Sequence, residues 1–134
     1  MDFSQIHNIA IVGLSDKPDR DSHRVARYLQ EEGYRIIPVN PSLEEVLGEK
    51  CYPDLGSIPA DIEIDVVDIF RRPEAVPPVV EEAARRGKVK IIWMQEGVVN
   101  EEAAARARAA GMEVIMDRCI KKEHLKWKAE KQGV

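Results

Sequence analysis

Apolar residues along this chain fall into five runs: IAIV at 9–12, RIIPV at 35–39, IDVVDIF at 64–70, KIIWM at 90–94 and EVIM at 113–116. Their apolarity is near-continuous rather than alternating, which predicts strands buried on both faces, as in a parallel sheet covered by helices. The segments between them have helical spacing. In SHRVARYLQEEGY, Val25, Ala26, Tyr28 and Leu29 gather on one side while Arg24, Arg27, Gln30, Glu31 and Glu32 face away. Ser22 suits the N-cap of this helix and Gly33 its C-cap. PEAVPPVVEEAARRG, 73–87, opens on proline and closes on arginines and Gly87, the asymmetry of a helix, provided Pro77 and Pro78 fall in the first turn. In NEEAAARARAAG, 100–111, Asn100 suits the N-cap, Glu101 and Glu102 complement the helix dipole and Gly111 is a stop. A last helix is predicted over IKKEHLKWKAEK, 120–131.

Strand and helix alternating at this spacing imply right-handed βαβ units. The expected fold class is α/β: a Rossmann-like, doubly wound, mainly parallel sheet of five strands with helices on both faces. A sixth strand would come from 41–61, which reads as an irregular crossover with room for a small extra strand near Cys51. No linker divides the sequence, and 134 residues suit one core, so a single domain over 1–134 is expected.

Composition narrows the function. Hydrophobic residues make up 44% and charged residues 33%, the balance of a soluble globular protein. The net charge of -4, with both signs interspersed, offers no basic stripe, so nucleic acid is not an expected partner. MDFSQIHN lacks the basic and apolar regions of a secretory signal, and no apolar run approaches the roughly 20 residues of a spanning helix. A cytoplasmic protein without membrane association is expected. Cys51 and Cys119 form no C-x-x-C and have no histidine at metal-ligand spacing, so reduced thiols rather than a zinc site are expected.

In open parallel sheets, ligands bind beyond the carboxyl ends of the strands where strand order reverses. That rule selects loops 13–21, 40–42, 70–73, 95–99 and 117–119. Gly13, in VGLSDKPDRDSHR, is a lone glycine where the dinucleotide fingerprint has three. Lys17, Arg20 and Arg24 lie close enough in sequence to neutralise a phosphate there; alternatively Gly13 only turns the chain and the cations are solvated surface. The acid that holds the NAD ribose is missing from VNPS, 39–42, with none before Glu44, which argues against NAD. Pro41 either packs against a planar base or simply exits a strand. Phe70, Arg71 and Arg72 offer an aromatic face and forked donors to phosphate. Gln95 offers a donor and an acceptor beside Gly97, or ties loops together. His7, His23 and His124 read as surface histidines, and Cys119 as a buried structural thiol or a reactive one near the crevice. No nucleophile with base and orienter is visible in the sequence.

The stretches IAIVGLSDKPDRDSHRVARYLQEEGYRIIPVNP, LGEKCYPDLGSIP, VVDIFRRPEAVPPVVEEA and IIWMQEGVVNEEAAARARAAGMEVIMDRC together span most of residues 6–120. They resemble the small CoA-binding domain proteins, stand-alone relatives of the N-terminal domain of the succinyl-CoA synthetase alpha subunit. The resemblance implies a phosphate loop at Gly13, Leu14, Ser15, Asp16 and Lys17, and an adenine side at Val39, Asn40 and Pro41. It implies a further contact segment at Met94, Gln95 and Glu96, which Phe70 and Arg71 join by position. Where the synthetase has a lysine after the proline of its second loop, this chain has Leu43, so the 3′-phosphate needs Lys17, Arg24 or Arg71 instead. The synthetase's phosphorylated histidine belongs to a second domain with no counterpart in these residues, so ligase activity is not expected. The resulting expectation is non-catalytic binding of coenzyme A or an acyl-CoA. The alternatives are an NADP-dependent oxidoreductase or a nucleotide-sensing regulatory subunit; a protein partner or homo-oligomer is left open.

Overall fold

The computed structural model describes residues 1–133. Five parallel strands form the sheet: β1 (Asn8–Val12), β2 (Arg35–Val39), β5 (Val66–Ile69), β6 (Ile91–Met94) and β7 (Glu113–Ile115), in the order β2-β1-β5-β6-β7. Between β2 and β5 the chain makes a two-stranded antiparallel hairpin, β3 (Glu45–Val46) and β4 (Glu49–Lys50). The sheet's sixth strand is reduced to one residue, Tyr52, which forms a parallel bridge to Val39. Helices α1 (Asp21–Glu31) and α4 (Ile120–Lys131) cover one face, and α2 (Val76–Arg86) and α3 (Glu101–Ala109) the other. This is the Rossmann-like, doubly wound α/β fold that the apolar runs imply.

Each face has its own core. Ala10, Val12, Ile37, Val67, Ile69, Ile92 and Met94 meet Val76, Val80 and Ala83 of α2 and Ala103, Ala104 and Ala107 of α3. The alanines let α3 approach both the sheet and α2 closely. On the opposite face Ile9, Ile11, Ile36, Val66 and Trp93 meet Val25, Ala26 and Leu29 of α1, Ile120 of α4 and Phe3 of the N-terminal turn.

Helix boundaries follow local chemistry. Asn100 caps α3, its Oδ1 accepting from the Ala103 N–H at 2.8 Å, and its Nδ2 donates to the Pro73 carbonyl at 2.9 Å, fastening α3 to the loop after β5. Pro77 and Pro78 occupy the first turn of α2, where their missing N–H groups cost nothing. The start of α1 departs from expectation: Arg20 is the N-cap and makes no side-chain cap bond. Ser22 instead turns inward and its Oγ accepts the Ser15 N–H at 3.0 Å. The irregular crossover is organised by Arg86, whose guanidinium donates to the carbonyls of Leu55, Ile58, Pro59 and Ile62. No described helix is long and apolar enough to cross a membrane.

Candidate functional site

The chain runs outward from β1 to β2 and then returns to the other side of β1 as β5, so strand order reverses between β1 and β5. Successive strand residues point to opposite faces. Ile11, Asp68 and Trp93 are register neighbours and face α1 and α4. Two residues further along each strand, Gly13, Phe70 and Gln95 emerge on that same face, and the pairing continues through them: Gly13 N–H to Val39, Phe70 N–H to Val12 and Gln95 N–H to Ile69. They floor an open cleft of about 1190 Å³, whose walls are the start of α1, the loop after β5, the loop after β6 and the start of α4.

Gly13 has a structural reason to lack a side chain. Its φ is +87°, and a Cβ there would lie 2.2 Å from the carbonyl oxygen of Phe70. The first loop and the loop after β5 can touch only because no side chain stands between them.

The first loop is tied down from both sides. Asn40 Nδ2 donates to the Leu14 carbonyl at 3.0 Å, the His23 ring meets the Ser15 carbonyl through Nδ1 at 2.9 Å, and Ser15 Oγ accepts the Lys17 N–H at 3.1 Å. The N–H groups of Leu14 and Asp16 have no protein acceptor among the described residues.

Six cationic side chains line the cleft, Arg20, Arg24, Arg71, Arg72, Lys121 and Lys122, against three carboxylates, Asp19, Asp21 and Glu96. Arg24 is engaged by Asp21 and the Asp19 carbonyl. Lys122 donates to both Glu96 oxygens, which raises its pKa above the ordinary lysine value. Arg20, Arg71 and Arg72 make no ion pair among the described residues. The cleft therefore carries unspent positive charge, with an apolar side at Val25, Pro73, Val98 and Leu125.

Of the residues singled out from sequence, Gly13, Ser15, Arg20, Arg24, Phe70, Arg71, Arg72, Gln95, Glu96, Gly97 and Cys119 come together in this cleft. The others lie elsewhere. Leu14, Val39 and Met94 are buried in the cores, Asn40 is spent bracing the Leu14 carbonyl, and Asp16, Lys17 and Pro41 are exposed outside the cleft lining. Sequence reasoning missed Lys121, Lys122 and Leu125. The signal was available, since the loop at 117–119 follows a strand's carboxyl end and the next residues begin α4. The expectation of surface histidines is corrected for two of the three. His23 and His124 are buried, His23 against the Ser15 carbonyl and His124 against Tyr28, Phe3, Tyr34 and Trp127. Cys119 is half-buried and lines the cleft, whereas Cys51 is buried away from it. Among the described residues no group of His, Cys, Asp and Glu is arranged to hold a metal ion.

A parallel, doubly wound sheet with a cationic cleft over its switch point is the architecture of nucleotide-cofactor-binding α/β domains. Within that class the chain belongs to the CoA binding domain family, whose model matches residues 7–125. The chain is 49% identical to the uncharacterized protein YneT of Bacillus subtilis, across 87% of this chain and 84% of that one. It is 27% identical to the alpha subunit of acetate–CoA ligase [ADP-forming] II from Pyrococcus furiosus, across 88% of this chain but only 28% of the subunit. Among solved structures, a hypothetical protein from Pyrococcus horikoshii OT3 superposes with a TM-score of 0.88 at 43% identity, over 92% of this chain and 85% of that one.

Proposed function

We propose that this chain binds coenzyme A or an acyl-CoA in the cleft above β1 and β5, as a binding module without ligase turnover. The observation that carries this reading is the meeting of Arg20, Arg71 and Arg72, without carboxylate partners among the described residues, around the Gly13–Phe70 floor. Coenzyme A is an anionic nucleotide with a diphosphate and a 3′-phosphate, and guanidinium groups recognise such oxygens through paired donors. The unused N–H groups of Leu14 and Asp16 belong to the backbone on either side of Ser15, which lines the cleft, and suit a diphosphate at the first loop although their side chains lie off the lining. The apolar side at Val25, Val98 and Leu125 suits the pantetheine arm. Membership of the CoA binding domain family supports the ligand class. The absence of turnover is supported by the histidines: none of the three lines the cleft.

Isothermal titration tests the proposal. Coenzyme A binds saturably, dephospho-CoA binds more weakly, and Arg71→Ala weakens coenzyme A by roughly tenfold to a hundredfold, the range for losing a hydrogen bond to a charged group. No heat and no thermal shift at millimolar coenzyme A would overturn it.

A further inference from the structure

Gln95 is 5% exposed and lines the cleft. Its Oε1 accepts the N–H of Ile120, the first residue of α4, at 3.1 Å. A backbone N–H can only donate, so this bond fixes the amide's orientation. The amide's other end, Nε2, is turned away from it, retains solvent access and has no protein acceptor among the described residues. The side chain is thus held in place by burial and by the Ile120 bond, while its one unpaired donor is left accessible at the cleft. Immediately beside it stands Cys119, whose peptide supplies the link to Ile120. Cys119 is the N-cap of α4, makes no side-chain cap bond and lines the same cleft. The N–H groups of Lys121 and Lys122 lie in that first turn, without intrahelical acceptors.

We infer that this corner takes the thioester of an acyl-CoA and that Cys119 accepts its acyl group. The inference rests on the CoA reading above and goes beyond it, to one stoichiometric transfer rather than turnover. The Cys119 thiol gives its proton to solvent and the sulfur attacks the thioester carbonyl carbon. Gln95 Nε2 and the first-turn N–H groups of α4 donate to the carbonyl oxygen as it gains negative charge. The carbon–sulfur bond to coenzyme A then breaks. Its sulfur leaves with the electron pair and takes up a proton, leaving S-acyl-Cys119 and free coenzyme A. No oxidant is needed. Lys122 is a poorer acceptor because Glu96 holds it as an ammonium, and Cys51 is buried outside the cleft.

The test uses the full chain with acetyl-CoA, followed by intact-protein and peptide mass spectrometry, with coenzyme A binding measured separately by titration. The expected result is one acetyl group on Cys119, released by hydroxylamine, retained in Cys51→Ser and absent in Cys119→Ser. Gln95→Glu keeps an acceptor for the Ile120 N–H but removes the donor, and at saturating acetyl-CoA it slows acylation by about 100-fold. Saturable coenzyme A binding without any acetyl adduct overturns the inference while leaving the binding proposal intact. So does a hydroxylamine-stable adduct on Lys121 or Lys122, or a reducible adduct carrying the whole of coenzyme A. Absence of binding overturns both.

Discussion

The two faces of the sheet are built from different chemistry. Against α2 and α3 the buried cluster is aliphatic, built from Ala, Val, Ile, Leu and Met. Against α1 and α4 lie Ser22, His23, Asp68, Gln95 and His124, five of the six buried polar or charged residues among those described. The cleft opens on this second side. One face therefore holds the fold together, while the other accepts buried polar groups in exchange for a site. The remaining buried polar residue, Asp65, is a structural tie at the opposite end of the sheet, where its carboxylate accepts the N–H groups of His7 and Asn8 and meets Lys90 at 3.1 Å.

The largest expected effect comes from the aliphatic face. Met94 is fully buried there, one residue before Gln95. Met94→Ala removes buried thioether and methylene groups and leaves a cavity, costing about 3 kcal/mol of stability. A urea titration reads this as a lower midpoint with an unchanged slope. Coenzyme A affinity of the folded variant stays within about twofold, because the side chain points away from the cleft. A large loss of affinity without loss of stability would show that the two faces are not separated in this way.

The same pair of residues shows what the sequence could and could not reveal. Five strands were legible because IAIV, RIIPV and their counterparts are apolar on both faces, and the N-cap at Asn100 and the stop at Gly111, one residue past the C-cap Ala110, were legible because they depend on local backbone chemistry alone. Burial on both faces also erases the alternation that would say which side chain points where. Met94 and Gln95 thus look equivalent in KIIWMQ, yet one lies in the aliphatic core and the other floors the cleft. Half of the candidate site residues sit on loops that border the cleft without their side chains lining it, as the buried side chains of Leu14 and Val39 show. The lysines of α4 reach the site only through tertiary packing, which no local pattern records.

A smaller effect is expected at Asp68, in the floor layer beneath Phe70. Both of its carboxylate oxygens are fully buried without a hydrogen-bond partner among the described residues, and burial holds its pKa well above the ordinary value for an aspartate. The folded chain then binds this proton more tightly than the unfolded chain. Its contribution is complete below the unfolded pKa of about 4 and declines as pH rises from there toward the folded value. Asp68→Asn cannot ionise. Relative to the wild type, the variant therefore gains stability progressively as pH rises from about 4 to 7. Urea midpoints of both proteins across that range measure the gain, and a difference independent of pH would mean that Asp68 is paired or hydrated rather than isolated.

The smallest effect, and the one of opposite sign, lies in the seam between α1 and α4. His124 is 2% exposed, sits 2.6 Å from the Tyr28 hydroxyl through Nδ1 and is ringed by Phe3, Tyr34 and Trp127. Burial lowers its pKa; Glu32 opposes the shift and Lys128 reinforces it, and those two charges are themselves paired at 2.9 Å. Tyr28, pushed up to about 12 chiefly by burial, stays a neutral phenol throughout the range that matters. Because the folded chain disfavours the imidazolium, the stability that His124 contributes is complete above the unfolded pKa of about 6.5 and is lost as pH falls below it. His124→Gln removes the titrating ring, so its urea midpoint falls less than that of the wild type between about pH 7 and pH 5. The same acidification loosens α4, which carries Cys119, Lys121 and Lys122 into the cleft, so coenzyme A affinity should weaken together with stability in the wild type but less in the variant. Equal slopes in the two proteins would locate the pH response outside this seam and leave the α1/α4 face polar only at its cleft.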